Sequence, residues 1–347
     1  MQTFRRTRPE DQGAIVQLMK SAFGADMPSG LISPALLQWK FSDPRSGSPE
    51  GCSYVIVGDG RIDAHVAEWP ISFQTPAGEV RSCHLIDWVA RPEAKGAGVS
   101  IYLQVMEQYE TVLAIGGSEH ARKLLPKMGF RPAGALTQFA RVVRPWRQFR
   151  IRPTRAGWRD VARLGRNIRW KMQAPRGLPP GWTAAPASDL EKLPGGALRV
   201  LSATFCTGVR TASRLRWLTE CPAMNCGLFI LNKGQAARGY FLLFQRGGQC
   251  RIADLAVDSE ARGDWLAAYR TAAFTAAEQP GTCEITAASS LPWLSDGLKS
   301  LGFQPRGDLP VAIYDPRRQL TGGPSLHLRM TDNDYCFLYS EAYPFLT

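Results

Sequence analysis

The chain has 347 residues, 44% of them hydrophobic and 21% charged, with a net charge of +12 from 42 basic and 30 acidic side chains. At roughly 100–200 residues per domain this predicts two or three compact units, and the ordinary apolar fraction excludes wholesale disorder. No apolar run approaches the ~18 residues of a membrane span, and the stretch from Met1 to Asp11 is basic with no apolar core behind it, so a soluble, cytoplasmic protein without a secretory signal is expected. Cys52, Cys83, Cys206, Cys221, Cys226, Cys250, Cys283 and Cys336 are scattered, and the Cys221–Cys226 spacing is too wide for a Cys-x-x-Cys motif. Buried thiols, and no zinc or other metal site, are the expectation.

In chain order, Phe4 to Arg8 reads as a strand, and Pro9-Glu10-Asp11 opens a helix with proline and acids in its first turn. Ile15, Leu18, Met19 and Phe23 supply its apolar face. Ser53 to Val57 and Ile62 to Phe73 read as strands joined by the Gly58-Asp59-Gly60 turn. Cys83 to Ala90 is a further strand, followed by a glycine loop and a helix containing Ile101, Leu103, Val105 and Met106. Thr111 to Ile115 is a buried strand ending at Gly116-Gly117, and a helix from about Ser118 to Lys127 stops at Gly129. Strands interleaved with helices predict an α/β fold with helices on both faces of the sheet.

The charge is concentrated. Arg141, Arg144, Arg147, Arg150, Arg152, Arg155, Arg159, Arg163, Arg166, Arg169 and Lys171 face Asp160 alone, so 11 minus 1 puts +10 of the +12 within 141–171. From Thr154 to Lys171 the spacing is helical, with Trp158, Val161, Gly165 and Ile168 on one face and Arg155, Arg159, Arg163 and Arg166 on another. Trp146, Phe149 and Trp170 add aromatic surface. The segment reads either as a basic surface for an anionic membrane, RNA or an acidic partner, or as a connector helix whose apolar face packs between two domains.

Internal similarity organises the rest. Leu37-x-Trp39-x-x-x-x-Pro44 recurs as Leu215-x-Trp217-x-x-x-x-Pro222, and Asp87, Lys95 and Gly96 recur as Asp254, Arg262 and Gly263. Gly129-Phe130-x-Pro132-x-Gly134 recurs as Gly302-Phe303-x-Pro305-x-Gly307. Three matches in one order predict two copies of one fold, laid out as 1–145, a basic connector at 146–179, and 180–347.

Chemistry points to the turn Lys95-Gly96-Ala97-Gly98-Val99-Ser100, where a strand passes into a helix. Small residues let the backbone approach a ligand, the first-turn N–H groups are anion donors, and Lys95 adds positive charge, an arrangement suited to a diphosphate. The turn resembles the acetyl-CoA loop of the GCN5-related N-acetyltransferases, Arg/Gln-x-x-Gly-x-Gly/Ala, with Lys95, Gly98 and Ser100 in its places. Arg6-x-x-Pro9-Glu10-Asp11 and Ala121-x-x-Leu124 leading to Gly129-Phe130 extend the resemblance over nearly all of 1–145, and it recurs more weakly over 180–320.

The resemblance implies two tandem domains, each a mixed twisted sheet flanked by helices, with acetyl-CoA as co-substrate. Val89 and Ala90 would hold the pantetheine arm and Gly96 to Ser100 the diphosphate. An amine would attack the thioester directly after losing a proton to Asp87, Glu119 or His120, with Glu68 a further carboxylate and His65 and His84 lying in strands. Leu125 stands where the family carries an acidic tyrosine and Ser118 where it carries asparagine. In the second copy Asp264 and Trp265 occupy the places of Ala97 and Gly98, so that copy is expected to lack coenzyme A. The residues from Leu326 to Leu338 read as an additional strand and turn. The function implied is N-acylation of a small-molecule or sugar-linked amine. The alternatives are an aminoacyl-tRNA-dependent transferase of duplicated fold and a non-catalytic scaffold binding a membrane or partner through 141–171.

Overall fold

The computed structural model describes residues 2–24, 32–42, 51–151, 157–187, 190–341 and 343–347. Two compact units form: one from 1–73, 77–133 and 310–323, the other from 74–76, 134–309 and 324–347.

In the first unit, β1 (Gln2–Arg6), β2 (Ser53–Gly58), β3 (Arg61–Thr75), β4 (Gly78–Ala90) and β5 (Thr111–Ile115) lie side by side in that order. The β2–β3 hairpin turns at Asp59 (φ 51°) and Gly60 (φ 77°), the two left-handed residues that a tight hairpin matching strand twist requires. Helix α1 (Gln12–Phe23) begins where Asp11 accepts the Arg8 amide at 2.7 Å and binds the Arg5 guanidinium at 2.6 Å. Ile15, Leu18 and Met19 of α1, with Leu37 of α2 (Pro34–Phe41), pack on Val55, Ile62 and Val89. On the opposite face Ile101, Tyr102, Val105 and Met106 of α3 (Ala97–Met106) cover Tyr54, Ile56, Ala64, Val66, Cys83 and Leu85. Each large side chain so buried contributes about 1.5–3 kcal/mol. Helix α4 (Glu119–Leu124) and a 3-10 turn (Leu125–Met128) end at Gly129, whose φ of 88° turns the chain out of the helix.

The second unit repeats the pattern. It contains β6 (Arg131–Val142) from residue 134 on, α5 (Pro145–Ile151), α6 (Trp158–Gln173), β7 (Trp182–Pro186), α7 (Gly195–Leu198), β8 (Phe205–Gly208), α8 (Ala212–Thr219), β9 (Asn225–Lys233), β10 (Ala236–Arg246), β11 (Gln249–Val257), α9 (Arg262–Glu278), β12 (Glu284–Ser289) and α10 (Pro292–Ser300). Strand β13 (Gln304–Tyr314) follows, then β14 (Ser325–His327). The sheet order here is β7-β9-β10-β11-β12-β6, and β14 pairs in parallel with β8, as the additional strand of the tail. The repeated motifs occupy equivalent places. Leu37 and Trp39 lie in α2 as Leu215 and Trp217 lie in α8, each helix capped by a hydroxyl, that of Ser33 or Thr211. Asp87 and Asp254 lie in β4 and β11, and Gly129 and Gly302 both adopt left-handed φ after a helical turn.

The compact units differ from the linear division at 145 and 180. Strand β5 pairs antiparallel with Val311–Tyr314 of β13, and β12 pairs antiparallel with Thr137–Val142 of β6, so each unit is closed by a strand from the other repeat. Both closing strands follow the same Gly-Phe-x-Pro-x-Gly motif, so nothing local distinguishes one partner edge from the other.

The basic connector also differs from expectation. It belongs to the second unit, and helix α6 turns Asp160, Leu164 and Asn167 inward, leaving Trp158 and Val161 exposed. The inward face is polar because the Asn167 amide donates to Gln148 of α5 at 2.9 Å and Gln148 in turn donates to Thr347 at 2.7 Å. Arg152, Thr154 and Arg155, like Pro44 of the first repeat motif, lie outside the described residues.

Candidate functional site

The candidate site is where β4 and β5 part. These parallel strands pair over Ser82↔Thr111, Cys83↔Val112 and His84↔Leu113 only, after which β4 continues to Ala90. The His84 ring bonds the Leu113 carbonyl at 3.1 Å at the last paired position. Beyond it Gly116 turns away, donating to Pro310 at 2.8 Å. The backbone from Leu85 to Ala90, which includes Val89 and Ala90, thus has no β5 partner among the described residues.

A bulge accompanies this parting. Asp87 has φ 52°, an uncommon conformation for a residue with a side chain. Alternation is broken there: Leu85 packs on the α3 side of the sheet, Trp88 and Ala90 on that same side, and Val89 on the α1 side. The Asp87 carboxylate meets Lys40 of α2 at 2.7 Å with both side chains buried, and the Asp87 carbonyl bonds His65 Nδ1 at 3.1 Å. Burial, reinforced by the Lys40 charge, depresses His65 to about 4, although the bond to Asp87 opposes that shift. His65 is therefore neutral at pH 7.

After the bulge the chain reaches α3 through Gly96, whose φ is 84°. The Lys95, Ala97 and Ser100 amides are used within the turn, by Glu93, Ala94 and Gly96 carbonyls respectively. Those of Gly96, Gly98 and Val99 have no backbone acceptor among the described residues. The expected donor set Gly96–Ser100 therefore narrows to three amides, because tightening the turn consumes the other two. Lys95 and Ser100 are exposed beside them. Gly98 has a packing role as well: the Trp88 indole donates to its carbonyl at 2.7 Å, and a Cβ there would lie 3.0 Å from Ala90 Cβ. Trp88 itself rests on Tyr102, with ring centroids 4.5 Å apart.

The remaining candidates are dispersed. Glu119 and His120 are exposed at the start of α4, where Glu119 pairs with Lys123 at 2.7 Å and Ser118 caps the helix by accepting the Ala121 amide. Leu125 is buried. Glu68 is buried deep in the sheet, where it accepts the Tyr54 hydroxyl at 2.9 Å, and burial pushes its carboxyl up. The geometry does not bring Asp87, Glu119 and His120 into contact with one another: Asp87 meets Lys40 and His65, and Glu119 meets Lys123. Lys40 was missed from the sequence, although a lone cation between Trp39 and Phe41, where the second repeat carries Leu218, was a visible signal.

The second unit preserves the parting of the strands but not the glycine turn. Strands β11 and β12 also pair over three positions, Gln249↔Glu284, Cys250↔Ile285 and Arg251↔Thr286. Trp265 is fully buried at the start of α9, packed on Phe205 and His327, and its indole donates to Ser259. The Asp264 carboxylate accepts from Ser259 and Lys233 at the place where Ala97 stands in the first repeat. Asp254 is bound by Arg210 at 2.7 Å, by Arg329 at 2.9 Å and by Thr331. Burial alone would raise this carboxyl, but the two guanidiniums outweigh it and hold Asp254 far below the usual range.

The chain has the fold of the GCN5-related N-acetyltransferases, a mixed sheet whose parallel central strands part next to a glycine turn, present here in two copies. Yeast (Saccharomyces cerevisiae) N-myristoyltransferase with bound myristoyl-CoA matches 90% of this chain over 82% of its own, with a TM-score of 0.57 at 12% identity. A probable N-acyltransferase from Enterococcus faecalis matches 90% over 72% of its chain, with a TM-score of 0.56 at 11% identity. A tandem protein of this fold from the clavulanic acid biosynthesis pathway matches 90% over 98% of its chain, with a TM-score of 0.53 at 13% identity. No family profile matches the sequence, and no curated protein matches it.

Proposed function

We propose that the chain is an acyl-CoA-dependent N-acyltransferase with its cofactor site in the first unit. The observation that carries this reading is the contrast between the repeats. Three unused amides and an exposed lysine stand at the start of α3, whereas Asp264 and a buried Trp265 stand at the start of α9. The Gly96, Gly98 and Val99 amides, with Lys95, would hold the diphosphate of coenzyme A, and the unpaired β4 backbone at Val89 and Ala90 its pantetheine arm. Bound acyl-CoA supplies a thioester carbon open to attack by an amine.

The chain's own residues orient the two reactants and accept the proton. Asp87 is poorly suited to that task because Lys40 already compensates its charge. Glu119 and His120 are exposed where α4 follows β5, so they remain accessible to an incoming amine, directly or through water. Acetyl is the proposed acyl group and a small-molecule or sugar-linked amine the acceptor. Coenzyme A thiolate is an adequate leaving group, so Leu125 in the tyrosine position is compatible with transfer.

Calorimetric titration of acetyl-CoA tests the reading. The wild type is expected to bind one equivalent in the first unit with micromolar affinity, and Lys95→Glu to weaken it about tenfold, with the loss shrinking at high salt. Absence of binding, or binding indifferent to Lys95→Glu and abolished by changes near Trp265, would overturn it.

A further inference from the structure

We propose that the second unit docks on an anionic lipid surface through helix α6, a property separate from acyl transfer. Along α6, the residues Trp158, Val161, Ala162, Gly165, Arg169 and Met172 fall within one stripe at 100° per residue, and all six are exposed. Trp158 is 76% exposed, Val161 63% and Met172 69%. Burying these three in the protein would be favourable, yet the helix turns Asp160, Leu164 and Asn167 inward instead. Arg159 and Arg166 lie along one side of the stripe and Arg169 lies within it. The adjoining helix α5 exposes Trp146 and Ile151, and its Arg147 and Arg150 line a cavity of about 510 Å³ together with Arg144 and Lys171.

Charge complementarity selects the occupant. Helices α5 and α6 carry Arg147, Arg150, Arg159, Arg163, Arg166, Arg169 and Lys171 against Asp160 alone, an excess that attracts an anionic surface, and a helix with tryptophan and aliphatic side chains beside arginines fits the boundary between headgroups and acyl chains. RNA would engage the arginines and indoles but leaves Val161 and Met172 without a use. A second copy in a symmetric dimer would set the same positive segments against each other, which repels. The stripe and its arginines therefore match a lipid headgroup layer better than either.

Co-sedimentation of the full chain with vesicles decides it. Vesicles of phosphatidylcholine with about one-third phosphatidylglycerol should bind the protein, pure phosphatidylcholine should not, and tryptophan emission should shift to the blue on binding. Arg159→Gln with Arg169→Gln should weaken binding on the order of 25-fold, about five-fold per arginine. Trp158→Gln with Val161→Gln and Met172→Gln should weaken it on the order of 100-fold. Lys95→Glu should leave it unchanged, which separates this property from the cofactor site. Failure to bind the anionic vesicles overturns the proposal, as does binding that the apolar triple variant does not weaken. Tight RNA binding that depends on the arginines alone, or a dimer that the apolar triple variant dissolves, would assign the face to those partners instead.

Discussion

Acidification should destabilise the first unit through His65. The imidazole is fully buried on β3, tilted against Phe41 at 5.4 Å, near the Lys40 charge, and bonded through Nδ1 to the Asp87 carbonyl. Its Nε2 has no hydrogen-bond partner among the described residues, so a second proton would be buried with no acceptor and near a like charge. The folded pKa of about 4 lies below the unfolded value of 6.5, and between these limits the unfolded chain binds the extra proton. Stability is then fully present above pH 6.5 and is lost as the pH falls toward 4, by about 3 kcal/mol at roughly 1.4 kcal/mol per pH unit. Hydrogen exchange of β3 and β4 amides from pH 7 to pH 4, corrected for intrinsic rates, measures this in the first unit alone. His65→Gln, which does not titrate and keeps an N–H for the Asp87 carbonyl, should remove that part of the slope whatever its effect at pH 7. Equal pH dependence in the two proteins would refute the assignment of a neutral, buried His65. His327, depressed to about 3 in the second unit by burial and then by Arg329, should produce a slope of the same sign there.

Two further substitutions probe the site's support. Lys40→Met removes the cation beside the buried Asp87 carboxylate and should cost about 3–5 kcal/mol, while the pair Lys40→Met/Asp87→Asn should recover most of the loss. Denaturant midpoints of the four proteins in this cycle measure the coupling, and additive losses would show that the ion pair is not a unit. Gly98→Ala sets a methyl 3.0 Å from Ala90 Cβ and should cost about 1–3 kcal/mol through overpacking even without ligand. Weakened coenzyme A binding with undiminished thermal stability would instead confine the role of Gly98 to ligand approach.

Local pattern alone carried a good deal of this protein. The 2-residue alternation and the 3.6-residue period marked β2 to β5 and α1, α3 and α4 to within a few residues, because period and capping are properties of a single segment, whereas the short helix α2 went unread. The repeat was legible in part because the helix-ending glycines Gly129 and Gly302 meet the same left-handed backbone demand twice. The glycine turn into α3 at Gly96 was also legible as a turn, since a left-handed cap admits few residues other than glycine.

What only the tertiary structure decided are relations between distant segments. Strand β5 accepts β13 rather than β6, because a strand edge is satisfied by any partner of suitable register and the two closing strands carry one motif. The state of Asp87 rests on Lys40, 47 positions earlier in the chain (87 − 40), and that of Asp254 on Arg210 and Arg329 from either side of it in sequence. The outward face of α6 likewise turned on a polar network through Gln148 and Thr347. Periodicity names which residues share a face of a helix or strand; only the long-range pairing of charges and hydrogen bonds sets which face is buried, because an unpaired polar group in the interior costs more than an apolar one left in water.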